Sequence, residues 1–157
     1  AADITDRVIA ESRKGSFPFM RLYFANGDMV GHTGVYQATQ VAVESVDLCI
    51  GRLMHAIREA RGILVVSADH GNADEMFEHD PKTGKVKISK ETGERMVRTA
   101  HSLNPVPVHI YDPAGMDRLS LSGEKNLGVS SLAATCIRLL GYEPPADYTP
   151  SIVRIGR

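Results

Sequence analysis

The sequence has no surplus of either charge: 18 Lys and Arg stand against 19 Asp and Glu, a net charge of −1. That balance gives no electrostatic footprint for nucleic acid or for an anionic membrane surface. Long apolar runs are missing too. The longest, residues 62–68, is strand-length, whereas a bilayer-spanning helix needs about 20 residues. The opening residues Ala1-Ala2-Asp3-Ile4 have neither a basic start nor a hydrophobic stretch, so no secretory signal is expected. Cysteine is scarce. Cys49 and Cys136 are isolated, each inside an apolar helical pattern, which excludes a disulfide framework and fits a reduced, cytoplasmic setting. There is no internal repeat, no low-complexity stretch and no initiator methionine, and the abrupt, helix-like beginning reads as a processed or excised piece. What is present is ordinary for a globular protein: 157 residues, 43% hydrophobic and 24% charged. One domain is the expectation at that length.

The apolar pattern predicts elements in a definite order. Residues 4–13 read as a short helix with Ile4, Val8 and Ile9 on one side, broken at Gly15-Ser16. Residues 17–25, dense in aromatic and branched side chains on both faces, read as a buried strand ended by the turn Asn26-Gly27-Asp28. Residues 35–61 give the strongest helix. Val35, Ala38, Ala42, Val46, Cys49, Leu53 and Ile57 form a stripe, widened by Val43, Ile50 and Met54, with Gly62 as a left-handed stop. Residues 63–68 and 106–111 read as strands, and the polar residues 80–95 as a surface hairpin or excursion. A last helix runs from Ser130 or Ser131 to Leu140, with Gly141 as its stop. The alternation predicts an α/β fold with a largely parallel sheet and helices on both faces.

In open α/β sheets, ligand and catalytic groups gather outside the carboxyl ends of the strands. Three segments with metal-ligand residue types reach that edge. Asp28 and His32, four residues apart, can face one side of a helical turn; Asp69-His70 end the second predicted strand; His101 precedes the third. Two aspartates and three histidines suit Mn²⁺, Zn²⁺ or another borderline divalent ion better than Ca²⁺. Five ligands exceed one three-ligand site and fall short of two full sites, so two adjacent metals with some ligands missing is the inference. Such clamps commonly serve phosphoryl transfer. The plainer alternatives are that Asp28 caps a turn and Asp69 caps the following segment. His55, His79 and His109 read as structural or solvated. Asp74 and Glu75 lie close enough to support the ligands but also fit a solvated helix start. Lys85, Lys87, Lys90, Arg95 and Arg98 read as a solvated face.

Three strings carry a family resemblance. Asn26-Gly27-Asp28-Met29-Val30-Gly31-His32-Thr33-Gly34, Ser67-Ala68-Asp69-His70-Gly71-Asn72-Ala73-Asp74, and Thr99-Ala100-His101 with Asn104-Pro105-Val106-Pro107 occur in this order. They resemble motifs of the 2,3-bisphosphoglycerate-independent (cofactor-independent) phosphoglycerate mutases of the alkaline phosphatase superfamily. The resemblance covers essentially all of residues 1–157 and implies the carboxy-terminal part of the metal-binding phosphatase domain. It implies two divalent ions, usually Mn²⁺, with Zn²⁺, Co²⁺ or Mg²⁺ as alternatives. Asp28, His32 and His101 would hold one ion, and Asp69 and His70 the other.

The implied reaction interconverts 3- and 2-phosphoglycerate through a phosphoserine, in glycolysis and gluconeogenesis. The family's nucleophilic serine, amino-terminal aspartate, active-site lysine and inserted phosphotransferase domain have no counterpart here. Ser67 lies in a predicted strand and Ser102 in the histidine segment. This chain alone is therefore expected to be inactive. The parent enzyme is expected to be a monomer acting on a small molecule, without nucleic-acid or membrane partners, while the isolated piece is expected to self-associate through exposed sheet edge. A metal-dependent phosphatase or phosphopentomutase of the same superfamily, and a non-catalytic metal-binding module, are the alternative readings.

Overall fold

A computed structural model describes residues 1–115 and 118–156. In chain order the elements are α1 (Ala2–Lys14), α2 (Asn26–Gly31), α3 (Tyr36–Glu59), β1 (Leu64–Ser67), β2 (Val108–Tyr111), β3 (Leu119–Leu121), α4 (Ser131–Leu139) and β4 (Val153–Ile155). Among the described residues no helix is long and apolar enough to cross a membrane.

The long helix α3 is the scaffold. Thr39, Ala42, Cys49, Leu53 and Ala56 are its buried positions, recurring on one side, and α1 and α2 both pack against it. The buried stripe is narrower than expected: of the stripe positions, Val35, Ala38 and Val43 are exposed. The helix ends in a Schellman motif, with Gly62 N–H donating to the Ile57 carbonyl (2.9 Å) and Arg61 N–H to that of Arg58 (3.2 Å). The left-handed residue there is Arg61, φ 53°, rather than the expected Gly62. Gly141, φ 87°, does play that part after α4. In α1 the buried residue is Thr5, whose hydroxyl donates to the Ala1 carbonyl at 3.1 Å.

The sheets depart from expectation. β1 pairs with β2 and β3 with β4, and both ladders are antiparallel. A parallel neighbour needs a crossover that carries the chain back to the opposite end. Here the excursion after β1 contains no helix and returns at the end it left, so Ser67 faces Val108. Residues 17–25 form no strand: they make no ladder pairing among the described residues, and Phe17, Phe19 and Tyr23 are exposed. An aromatic, branched sequence favours a strand only where a neighbouring strand can accept its backbone hydrogen bonds. The accessible surface is correspondingly large, 11014 Å², against about 7,800 Å² for a compact monomer of this mass.

The excursion itself is ordered. Isolated bridges Phe77–Val97, His79–Val86 and Ile88–Arg95 fold it into two successive hairpins. Asp80 fastens the first turn by accepting from the Lys82 and Thr83 amides at 2.9 and 2.8 Å. Three of the basic residues expected to be solvated have partners: Lys87 pairs with Glu78 (3.0 Å), Arg95 lies over the Phe77 ring (5.4 Å), and Arg98 reaches the His101 carbonyl (3.2 Å).

The carboxy-terminal part is knit by buried hydroxyls. Thr135 Oγ1 donates to the Ser131 carbonyl at 2.7 Å and accepts from the Ile152 amide at 3.0 Å. Ser131, Ala134 and Thr135 have no exposed surface.

Candidate metal centre

Asp28 lies on α2 and His32 directly follows it, where the helical repeat sets residues four apart on one side. His32 Nε2 stands 3.2 Å from Asp28 Oδ1. His101, from the far end of the excursion, places Nε2 3.1 Å from the same oxygen and 3.1 Å from His32 Nε2. Two imidazole nitrogens and one carboxylate oxygen thus close a triangle with edges of 3.1–3.2 Å. Donors about 2.1 Å from one shared ion stand about 3.0 Å apart at octahedral angles and about 3.4 Å apart at tetrahedral ones. The donor set fits a divalent cation.

The tautomer of His32 supports that fit. Its Nδ1 lies 2.6 Å from the Thr99 carbonyl, which can only accept, so Nδ1 carries the proton. That leaves Nε2 as the ring nitrogen that can offer a lone pair to an ion in the triangle.

His70 joins from the loop after β1. Its ring stacks on that of His101, centroids 3.7 Å apart and planes 18° apart. One ligand atom each from Asp28, His70 and His101 lie within 4.8 Å of one another. His70 Nδ1 is buried without a hydrogen-bond partner among the described residues. Asp69 stands apart from this group: its carboxylate is 3.8 Å from His70 Nε2 and its side chain is 58% exposed.

The two histidine loops are tied at their bases. Ser102 N–H donates to the Gly71 carbonyl at 2.9 Å. Ser102 Oγ and Asn104 Nδ2 each donate to Asp74 Oδ2 at 2.8 Å. A side chain at position 71 would collide with this clasp, since a Cβ there would lie 2.1 Å from Ser102 Oγ. Burial raises the pKa of Asp74, but the hydrogen bonds from Asn104, Ser102 and the backbone outweigh it and hold the carboxyl below its ordinary value. The Tyr23 phenol is pushed above its ordinary value by desolvation first, then by the charges of Asp69 and Asp28.

Sequence reasoning did not single out Asn72, the Thr99 carbonyl or Tyr23. Asn72 lies in the segment 67–74 with no spacing to mark its role, and no residue type marks a carbonyl as a histidine's partner. His55 and His79 instead face Glu59 (3.2 Å) and Glu75 (3.5 Å), away from the triangle. Ser67 Oγ donates to the Pro107 carbonyl at 3.0 Å.

A protein-family profile described as the metalloenzyme superfamily matches residues 1–144. The chain is 42% identical over 151 residues to a probable 2,3-bisphosphoglycerate-independent phosphoglycerate mutase of Leptospira interrogans, covering 96% of this chain and 27% of that protein. It is 38% identical over 156 residues to the 2,3-bisphosphoglycerate-independent phosphoglycerate mutase of Trypanosoma brucei brucei, covering 98% of this chain and 28% of that one. Among solved structures, Leishmania mexicana phosphoglycerate mutase at low cobalt concentration superposes with a TM-score of 0.90 at 39% identity, over 98% of this chain and 28% of that one. The chain therefore spans about a quarter of the length of the relatives it matches. The fold is a part of the alkaline-phosphatase-like α/β domain, although its own ladders are antiparallel. On the match that runs through the helical scaffold and the segments carrying Asp28, His70 and His101, the chain belongs to the metalloenzyme superfamily.

Proposed function

We propose that these residues form the carboxy-terminal, metal-holding part of the phosphatase domain of a 2,3-bisphosphoglycerate-independent phosphoglycerate mutase, a cytoplasmic glycolytic enzyme. Asp28, His32 and His101 hold one divalent ion, and Asp69 and His70 contribute to a second. Mn²⁺ is the ion we assign, with Co²⁺ next, since a mixed carboxylate and imidazole set suits both. The observation that carries the reading is the 3.1–3.2 Å triangle of Asp28 Oδ1, His32 Nε2 and His101 Nε2.

When bound, such ions stabilise negative charge on a transferring phosphoryl group. The work of this chain's own residues is to hold the donors in place before the ions arrive. Thr99 fixes the His32 tautomer, Asp74 clasps the His101 segment to the His70 loop, and α3 supports α2 from behind. On this reading the nucleophilic serine of the phosphoserine step has no counterpart among these residues, as the motif match implies.

An enolase-coupled assay with 3-phosphoglycerate tests this, using a polypeptide that joins these residues to a serine-bearing portion of the same protein. Turnover abolished by a chelator and restored by Mn²⁺ is expected. Chelator-insensitive turnover, or phosphate release without 2-phosphoglycerate, would overturn the mutase reading.

A further inference from the structure

We propose that Asn72 is a positioning residue for the metal centre, orienting the Asp28 oxygen that the two histidines share and joining α2 to the His70 loop. The inference rests on the metal-holding reading above. Asn72 is only 6% exposed, and its Nδ2 donates to Asp28 Oδ1 at 3.3 Å. That is the same oxygen to which His32 and His101 present their Nε2 atoms. A hydrogen bond to a ligand carboxylate fixes which lone pair faces the ion, as outer partners of metal ligands generally do.

The other end of the amide shows that Asn72 does more than fill space. Its Oδ1 is buried and has no hydrogen-bond partner among the described residues. Burying an unpaired carbonyl is unfavourable, and an apolar side chain of similar volume would avoid the penalty. The fold accepts that penalty and makes room for it: a Cβ on Gly31 would lie 2.0 Å from Asn72 Oδ1. Turning the amide over would set its carbonyl oxygen against the Asp28 carboxylate, so the orientation is determined. His32 does not compete for the amide. Its Nδ1 is 3.4 Å from Asn72 Nδ2, but the Nδ1 proton goes to the Thr99 carbonyl at 2.6 Å.

The test uses the 157-residue chain and Co²⁺, whose visible absorption reports ligand geometry. Asn72→Leu should weaken Co²⁺ binding about 10- to 100-fold and change the absorption of the bound ion, while far-ultraviolet circular dichroism stays that of the wild type. Should the variant fail to fold, the wild type still decides. Its Asn72 side-chain amide resonances should shift on saturation with diamagnetic Zn²⁺. Affinity within about twofold of wild type with an unchanged spectrum, or amide resonances that Zn²⁺ leaves unmoved, would overturn the inference while leaving the metal reading intact. A wild-type chain that takes up neither ion would overturn both.

Discussion

His32 and His101, 69 residues apart in sequence, bring their Nε2 atoms within 3.1 Å of each other over a single oxygen of Asp28. Such crowding of three donor atoms is a geometry that a cation relieves. Removing either imidazole should cost about 100-fold or more in Mn²⁺ or Co²⁺ affinity, at least the loss typical of outer-shell changes. Isothermal titration of His32→Ala and His101→Ala against wild type measures this. Metal at about 100 times its Kd should also stabilise the wild type by about 2.7 kcal/mol, an increment that a chelator reverses. Equal unfolding curves with and without metal would contradict the assignment.

The Asp74 clasp should make stability acid-sensitive. Its folded-state pKa lies below the ordinary value, so the contribution is complete above the unfolded-state value of about 3.9 and is lost as pH falls through the folded-state value. Because Asp74 is exposed, we expect only about 1 kcal/mol. Asp74→Asn should be less stable than wild type at neutral pH, and the two should converge in acid. Urea melts at several pH values read this out; a constant difference across the acid range would count against the clasp.

Asp112 is 3% exposed and accepts from the Ala114 and Gly115 amides at 3.2 and 3.0 Å and from Arg118 Nε and Nη2 at 3.2 and 3.1 Å. Asp112→Ala leaves these donors without their carboxylate, and should destabilise the chain by about 2–3 kcal/mol. Arg118→Ala, which strips only the half-exposed partner, should cost less. Thermal unfolding of the two variants gives the order, and the reverse order would show that the guanidinium rather than the turn amides dominates.

The chain by itself should not interconvert 3- and 2-phosphoglycerate. Loss of one preorganised charge-stabilising group typically costs about 10²–10³ in rate, and absence of the covalent nucleophile should cost more. Enolase-coupled turnover above background by the purified 157-residue chain, sensitive to a chelator, would place the nucleophile within these residues.

The closeness of Asp28 to His32 was legible because it is local: the two lie four apart, and one turn of helix suffices to align them. That His101 joins them was legible only from strand-end placement and motif order, because the excursion that returns it is fixed by hairpin bridges rather than by periodicity. The sheet departs from the sequence pattern for the converse reason. Residues 17–25 have strand composition, yet a strand is defined by its partner, and none of the described residues pairs with them. Alternation of elements predicts parallel pairing, while the helix-free return to Val108 makes the ladder antiparallel. β3 and β4, three residues each, are too short to show a period. Arg61 in the left-handed position shows the limit of composition differently: the Schellman hydrogen bonds outweigh the strain that a glycine would have spared.

The Gly71–Ser102 bridge and the Phe77–Val97 bridge close the excursion like rungs at the foot of a ladder. His70 and His101 sit beside the lowest rung, so their separation is set there and not at the far turns around Asp80 and Ser89. Residues could be added or removed at those turns without moving either histidine, since lengthening a loop that is already closed adds little entropy cost. The distal hairpins are thus the part of the protein where length can drift while the centre keeps its dimensions.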